Sequence, residues 1–180
     1  MKFTIGAFLF AAVLSAQDQA ANPLMATSQA IFTISKNNIL RSADKIPDEL
    51  WSYQPTKDVR TVAQLFAHIA DGQYEFCGVG LEGQVVSKDI EKTAKTKAEI
   101  VSALNEAFGY CESAYAKLND AKAAETVKFF GRTITRLGAM DFNTAHNMEH
   151  YGNLVTYMRM KNIVPPSSTP QTPPSTAAKK

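Results

Sequence analysis

The chain has 180 residues, 45% of them hydrophobic and 20% charged, which is the composition of one ordinary globular domain and excludes a fibrous or wholly disordered protein. Its 19 basic and 17 acidic residues leave a net charge of +2, too small an excess to mark a nucleic-acid surface. Two cysteines are too few for a disulfide-built scaffold, and only three histidines are present.

The N-terminus reads as an export signal over residues 1–16. Lys2 supplies the positive start, Phe3 to Leu14 is an uncharged, mostly apolar run, and Leu14-Ser15-Ala16 offers a small residue for cleavage. A helix of that run rises only about 18 Å, too short for a hydrocarbon core of roughly 30 Å. No second long apolar run follows, so the expectation is a periplasmic or extracellular protein with no transmembrane segment after cleavage.

Residues 22–163 hold four stretches of helical periodicity. The first spans about Pro23 to Lys45, with Met25, Phe32, Ile39 and Ile46 spaced by seven. The second opens on Thr61-x-x-Gln64, a capping-box pattern, and continues with Val62, Leu65, Phe66, Ile69, Gln73 and Phe76 at steps of three and four. The third covers about Lys97 to Asn119, with Leu104, Phe108, Cys111, Tyr115 and Leu118 in line. The fourth runs from about Arg136 to Lys161, ahead of Pro165-Pro166. The connections 46–60, 81–96 and 120–135 read as loops, the last with room for an extended piece at Val127–Phe130. No strand pattern is strong enough to imply a sheet. Four amphipathic helices with one apolar stripe each predict an all-α, antiparallel four-helix bundle. Residues 164–180 contain five of the eight prolines and six serines or threonines, and are expected to be a disordered tail.

The chemistry concentrates in the fourth helix. Ala139, Phe142, His146, His150, Asn153 and Tyr157 fall at steps of three and four, a line expected to face the core. Two imidazoles one turn apart stand on one face and can share a metal ion. His68 flanks the apolar stripe of the second helix, so all three histidines of the chain can converge. Three imidazoles leave a further position for an exchangeable ligand, which is the pattern of a catalytic metal site. Nitrogen donors suit zinc, nickel, iron or copper, and one divalent ion, zinc or nickel, is expected.

His146-Asn147-Met148-Glu149-His150 also matches the inverted zinc-peptidase motif H-x-x-E-H. That chemistry needs an acidic third ligand further downstream, and none of the 30 residues after His150 is acidic. Glu149 and Asp71, one turn after His68, are the candidate proton carriers.

His146-x-x-x-His150-x-Gly152-Asn153-Leu154-x-x-Tyr157-x-Arg159, with Val164-Pro165-Pro166 beyond, resembles the last helix of the DinB/YfiT-like superfamily. Thr61 to Asp71 resembles its second helix, where a Ser or Thr sits seven residues before the first ligand. The resemblance covers about residues 24–166. It implies a metal-binding four-helix bundle with a divalent ion on three histidines, which correspond to His68, His146 and His150. The family often carries Gln where Asn153 stands, and its best-known members are cytoplasmic. Its activities include thiol-cofactor-dependent S-transferases and a maleylpyruvate isomerase, and many members are labelled only as metal-dependent hydrolases. The oligomeric state stays open, although the resemblance favours a homodimer. The alternative function is a non-catalytic bundle that binds metal or a small ligand.

Cys77 and Cys111 are the only thiols. For antiparallel helices joined end to end, their registers differ by about ten residues, or roughly 15 Å, against the 7 Å limit for a bridge. Two separate buried thiols are therefore expected.

Overall fold

The computed structural model describes residues 21–169. The expected export signal, residues 1–16, and residues 170–180 of the expected tail lie outside them. Four long helices form: α1 (Pro23–Lys45), α2 (Val62–Glu82), α4 (Lys97–Lys117) and α6 (Arg136–Met160), with short α3 (Ile90–Thr93) and α5 (Asp120–Ala123) between them. None of the described helices is long and apolar enough to cross a membrane.

Each helix starts where its sequence supplies a partner for orphaned backbone N–H groups. Thr61 and Gln64 cap α2 reciprocally, and Thr96 and Glu99 do the same for α4. The α1 start borrows its cap: the Asp120 carboxylate accepts from Leu24 N at 3.0 Å and Met25 N at 2.9 Å. Met25, Phe32 and Ile39 of α1 all point into one core with Phe66, Phe108, Leu104 and Leu154. Trp51 stacks on Phe66 with centroids 5.0 Å apart and closes the lower end.

The all-α bundle is the one expected, but its helix directions do not strictly alternate. Lys97 opens α4 beside the end of α1, its ammonium 3.1 Å from the Ile46 carbonyl and 5.2 Å from the centre of the Trp51 ring. Ala63, at the start of α2, donates to the Trp51 carbonyl at 2.9 Å. Both helices thus begin at the same end and run parallel. The connection between them returns along the whole length of α2.

This direction corrects the cysteine expectation. Cys77 and Cys111 form a disulfide with Cα atoms 5.3 Å apart. The antiparallel assumption produced the register mismatch. In parallel helices Cys77 lies fifteen residues after Val62 and Cys111 fourteen after Lys97, which is nearly level.

Two further expectations are corrected. The extended piece expected near Val127–Phe130 is β1 (Thr126–Phe129), but it pairs with β2 (Arg132–Thr135) through Phe130-Gly131 in a small antiparallel hairpin that was not expected. Four-residue strands carry too few alternations to read from sequence. The segment after α6 is also not disordered from residue 164. Pro166–Ser168 makes a 3-10 turn, Tyr151 Oη donates to Ser167 Oγ at 2.8 Å, and Lys45 Nζ donates to the Val164 carbonyl at 3.1 Å. A proline-rich sequence cannot form a ladder, but it docks where side chains accept its few polar groups.

Titration of the unfolded, unreduced protein should find no free thiol. Closing a 34-residue separation is worth about 3–4 kcal/mol in the chain-entropy account, so Cys77→Ala/Cys111→Ala should lose roughly that much stability in urea unfolding. Two titrating thiols per chain would contradict the bridge.

Candidate metal centre

α2 and α6 lie so close that a side chain at either of two α2 glycines would displace a side chain of α6. A Cβ on Gly72 would stand 2.7 Å from His146 Cε1, and one on Gly80 2.5 Å from Met140 Sδ. Within that contact His68, one turn before Gly72, meets both histidines of α6. His146 Nε2 is 3.1 Å from His68 Nε2 and 3.1 Å from His150 Nε2. One ligand nitrogen from each of the three lies within 4.8 Å of the others.

That donor set fits a cation. Nitrogen ligands sit about 2.0–2.1 Å from zinc, which places neighbouring donors about 3 Å apart. Glu91 Oε2 stands 3.3 Å from His68 Nδ1, so the His68 proton belongs on Nδ1 and the Nε2 lone pair faces its neighbours. Three nitrogens directed at one point cannot all be paired by each other's protons.

Burial lowers the pKa of all three rings. For His68 the loss of water acts first and the Arg60 guanidinium second, with Glu91 and Asp71 opposing. His150 is lowered by burial and then by His68. His146 is pushed down to about 3 by burial, then by His150 and His68. All three are therefore neutral near pH 7, the form that ligates a metal. His146 Nδ1 is buried without a hydrogen-bond partner among the described residues.

The elements around the rings are fixed from outside. Asp71 accepts from the backbone N–H groups of Ile90 at 2.7 Å and Glu91 at 2.9 Å, which holds the short α3 against the middle of α2. Glu91 is thereby delivered to His68, while Arg60 Nε donates to Glu91 Oε1 at 2.9 Å. Asp71, expected as a proton carrier, has both carboxylate oxygens engaged in positioning. Glu149 is exposed and makes no hydrogen bond to the histidines. It acts on His150 only through its charge.

The α6 line expected in the core is buried at Ala139, His150 and Tyr157 but not along its whole length. Phe142 is 41% exposed and Asn153 is exposed. Beside Ala139, His150 and Tyr157, the buried face of α6 carries Met140, Asn143, Asn147, Leu154 and Met158. Asn143 Nδ2 donates to Gln73 Oε1 at 2.8 Å, and Gln73 Nε2 to Asn147 Oδ1 at 2.6 Å. Asn143 Nδ2 also lies 3.2 Å from Cys111 Sγ. This buried amide chain ties α2 to α6 directly behind the histidines. Gln73 on an otherwise apolar stripe was its sequence signal. Arg60 and Glu91 carry none, because their partners are set by the returning connection.

Residues 31–154 match the family model described as the DinB superfamily. The chain belongs to the DinB superfamily. A DinB-like protein from Bacillus subtilis superposes with TM-score 0.63 at 20% identity, over 78% of this chain and 92% of that one. A DinB-like protein from Bacillus cereus ATCC 10987 gives 0.66 at 16%, over 77% and 93%. A mutant of the mycothiol-dependent maleylpyruvate isomerase gives 0.61 at 12%, over 72% of this chain and 60% of that one. No curated protein matches the sequence. These likenesses show a shared fold.

The neutral histidines set a pH dependence. Their folded pKa values lie below the unfolded value near 6.5, so the unfolded chain takes up protons first as pH falls. Metal-free protein should hold its full stability above about pH 6.5 and lose it from there downwards. The urea midpoint of chelator-treated protein should be lower at pH 5 than at pH 7.5. An unchanged or higher midpoint at pH 5 would contradict neutral burial.

Proposed function

We propose that the protein is an exported, metal-dependent enzyme that holds one divalent ion, zinc or nickel, on His68, His146 and His150 and acts on a small molecule as a hydrolase or thiol S-transferase. The observation that carries this reading is the convergence of three neutral imidazole nitrogens. A bound ion supplies Lewis acidity there and lowers the pKa of water or a thiol.

The chain's own residues do the positioning. Arg60 holds Glu91, Glu91 holds the His68 ring with its Nε2 lone pair inward, and Asp71 holds the backbone that carries Glu91. Gly72 leaves the space that the His146 ring fills. The mycothiol dependence named for one structural neighbour supports the thiol branch. The N-terminal signal pattern and the disulfide support export, since disulfides persist in oxidising compartments. The small net charge gives no support to nucleic-acid binding, and a homodimer remains part of the proposal.

A second reading has its own observation. Neither carboxylate expected to move protons is poised to do so: Asp71 is engaged with backbone and Glu149 faces solvent. That favours a non-catalytic metal- or ligand-binding bundle.

Purified protein lacking residues 1–16 should carry one divalent ion per chain, and His146→Ala/His150→Ala should carry none while keeping its helical spectrum. Metal-restored turnover in an ester, amide and thiol-transfer screen, abolished in the double variant, supports the enzyme. Metal binding without turnover supports the second reading. Full occupancy in the double variant contradicts both.

A further inference from the structure

Four phenylalanine rings continue the three-histidine centre along the bundle. Phe76 lies 5.1 Å from the His146 ring, centroid to centroid, and 5.0 Å from Phe142. Phe142 lies 5.0 Å from Phe129, which meets Phe130 at 4.4 Å. Phe142 stands one turn before His146 on α6, so the two rings share a face. The run therefore begins in contact with a candidate ligand and ends at the hairpin tip.

Its outer members are exposed against their chemistry. Phe130 is 73% and Phe142 41% accessible. Phe130 also holds φ at +45°, with Gly131 at +75°. A two-residue hairpin turn with both φ values positive favours Asn-Gly, and a bulky aromatic residue in the left-handed region is strained. Neither the ring's exposure nor its backbone is explained by folding. Strain retained in an exposed apolar residue beside a site points to a ligand contact.

We propose that the ledge formed by Phe129, Phe130 and Phe142, backed by the buried Phe76, binds the aryl or extended apolar group of a small ligand whose polar head lies at the three histidines. This rests on the metal-centre reading and narrows its substrate class to compounds with an aromatic or apolar body. The occupant is small because the ledge is continuous with the His146 ring rather than a separate face. Rings that pack edge-to-face accept a further ring in the same manner.

The test compares benzohydroxamate with acetohydroxamate on zinc-loaded protein by calorimetry. The two share a metal-binding head and differ in the aryl group. The benzo compound should bind about tenfold tighter to the wild type than the aceto compound, the scale of one aromatic contact. In Phe130→Ala/Phe142→Ala that ratio should fall to within about twofold of unity, with acetohydroxamate affinity unchanged. A wild-type ratio near unity, or a ratio unaltered in the variant, overturns the ledge. Saturation-transfer NMR with benzyl alcohol on metal-free protein separates the two readings. Ring contact that the variant loses supports the ledge even where zinc and both hydroxamates fail to bind, an outcome that sinks the metal reading alone. No contact with wild type there overturns the ledge. Sedimentation supplies the last arm: a dimer that becomes monomeric in the variant makes the ledge a subunit interface and overturns the proposal.

Discussion

The close approach of α2 to α6 is the constraint on which the site depends. Gly72 and Gly80 stand two turns apart on the α2 face that meets α6, and a Cβ at either would displace a side chain of α6, the His146 ring at the first and Met140 at the second. At that separation His68 and His146 bring ring nitrogens to 3.1 Å. The amide chain Asn143–Gln73–Asn147 crosses the same contact. Buried amides are costly unless bonded, so the chain admits one register of α6 against α2 and resists sliding. Packing and polar bonding thus fix the same geometry independently.

The parallel course of α2 and α4 matters for a different reason. It forces residues 83–96 to return along α2, and Asp71 fastens that return at Ile90 and Glu91. A carboxylate is carried to the outer nitrogen of His68 by a connection rather than by a bundle helix. The disulfide holds α2 and α4 level at Cys77 and Cys111, near the Asn143 amide that sits behind the histidines. One side of the site is therefore set by helix contact and the other by a stapled connection.

Much of the scaffold is legible in the sequence. Pro23–Lys45 is the observed α1, Thr61 and Gln64 cap α2 as their spacing implies, and the three histidines meet. Local signals carry all of these: heptad apolar spacing, capping chemistry and the i, i+4 relation. What was not legible depends on long-range placement. Helix direction after the 83–96 connection has no local mark, and the cysteine register followed it. The full width of the α6 core face escaped because it carries Asn143 and Asn147, so the apolar contrast that locates a buried face is weak there. Glu91 reads as one of many polar connection residues until Asp71 is seen to hold it.

The central claim is that the three histidines form one metal centre. Zinc K-edge X-ray absorption on metal-loaded protein reads the ligands directly. The account predicts three imidazole nitrogens at about 2.0–2.1 Å, with the outer-shell scattering of histidine rings. A sulfur shell, or an oxygen-only shell without imidazole scattering, would contradict it.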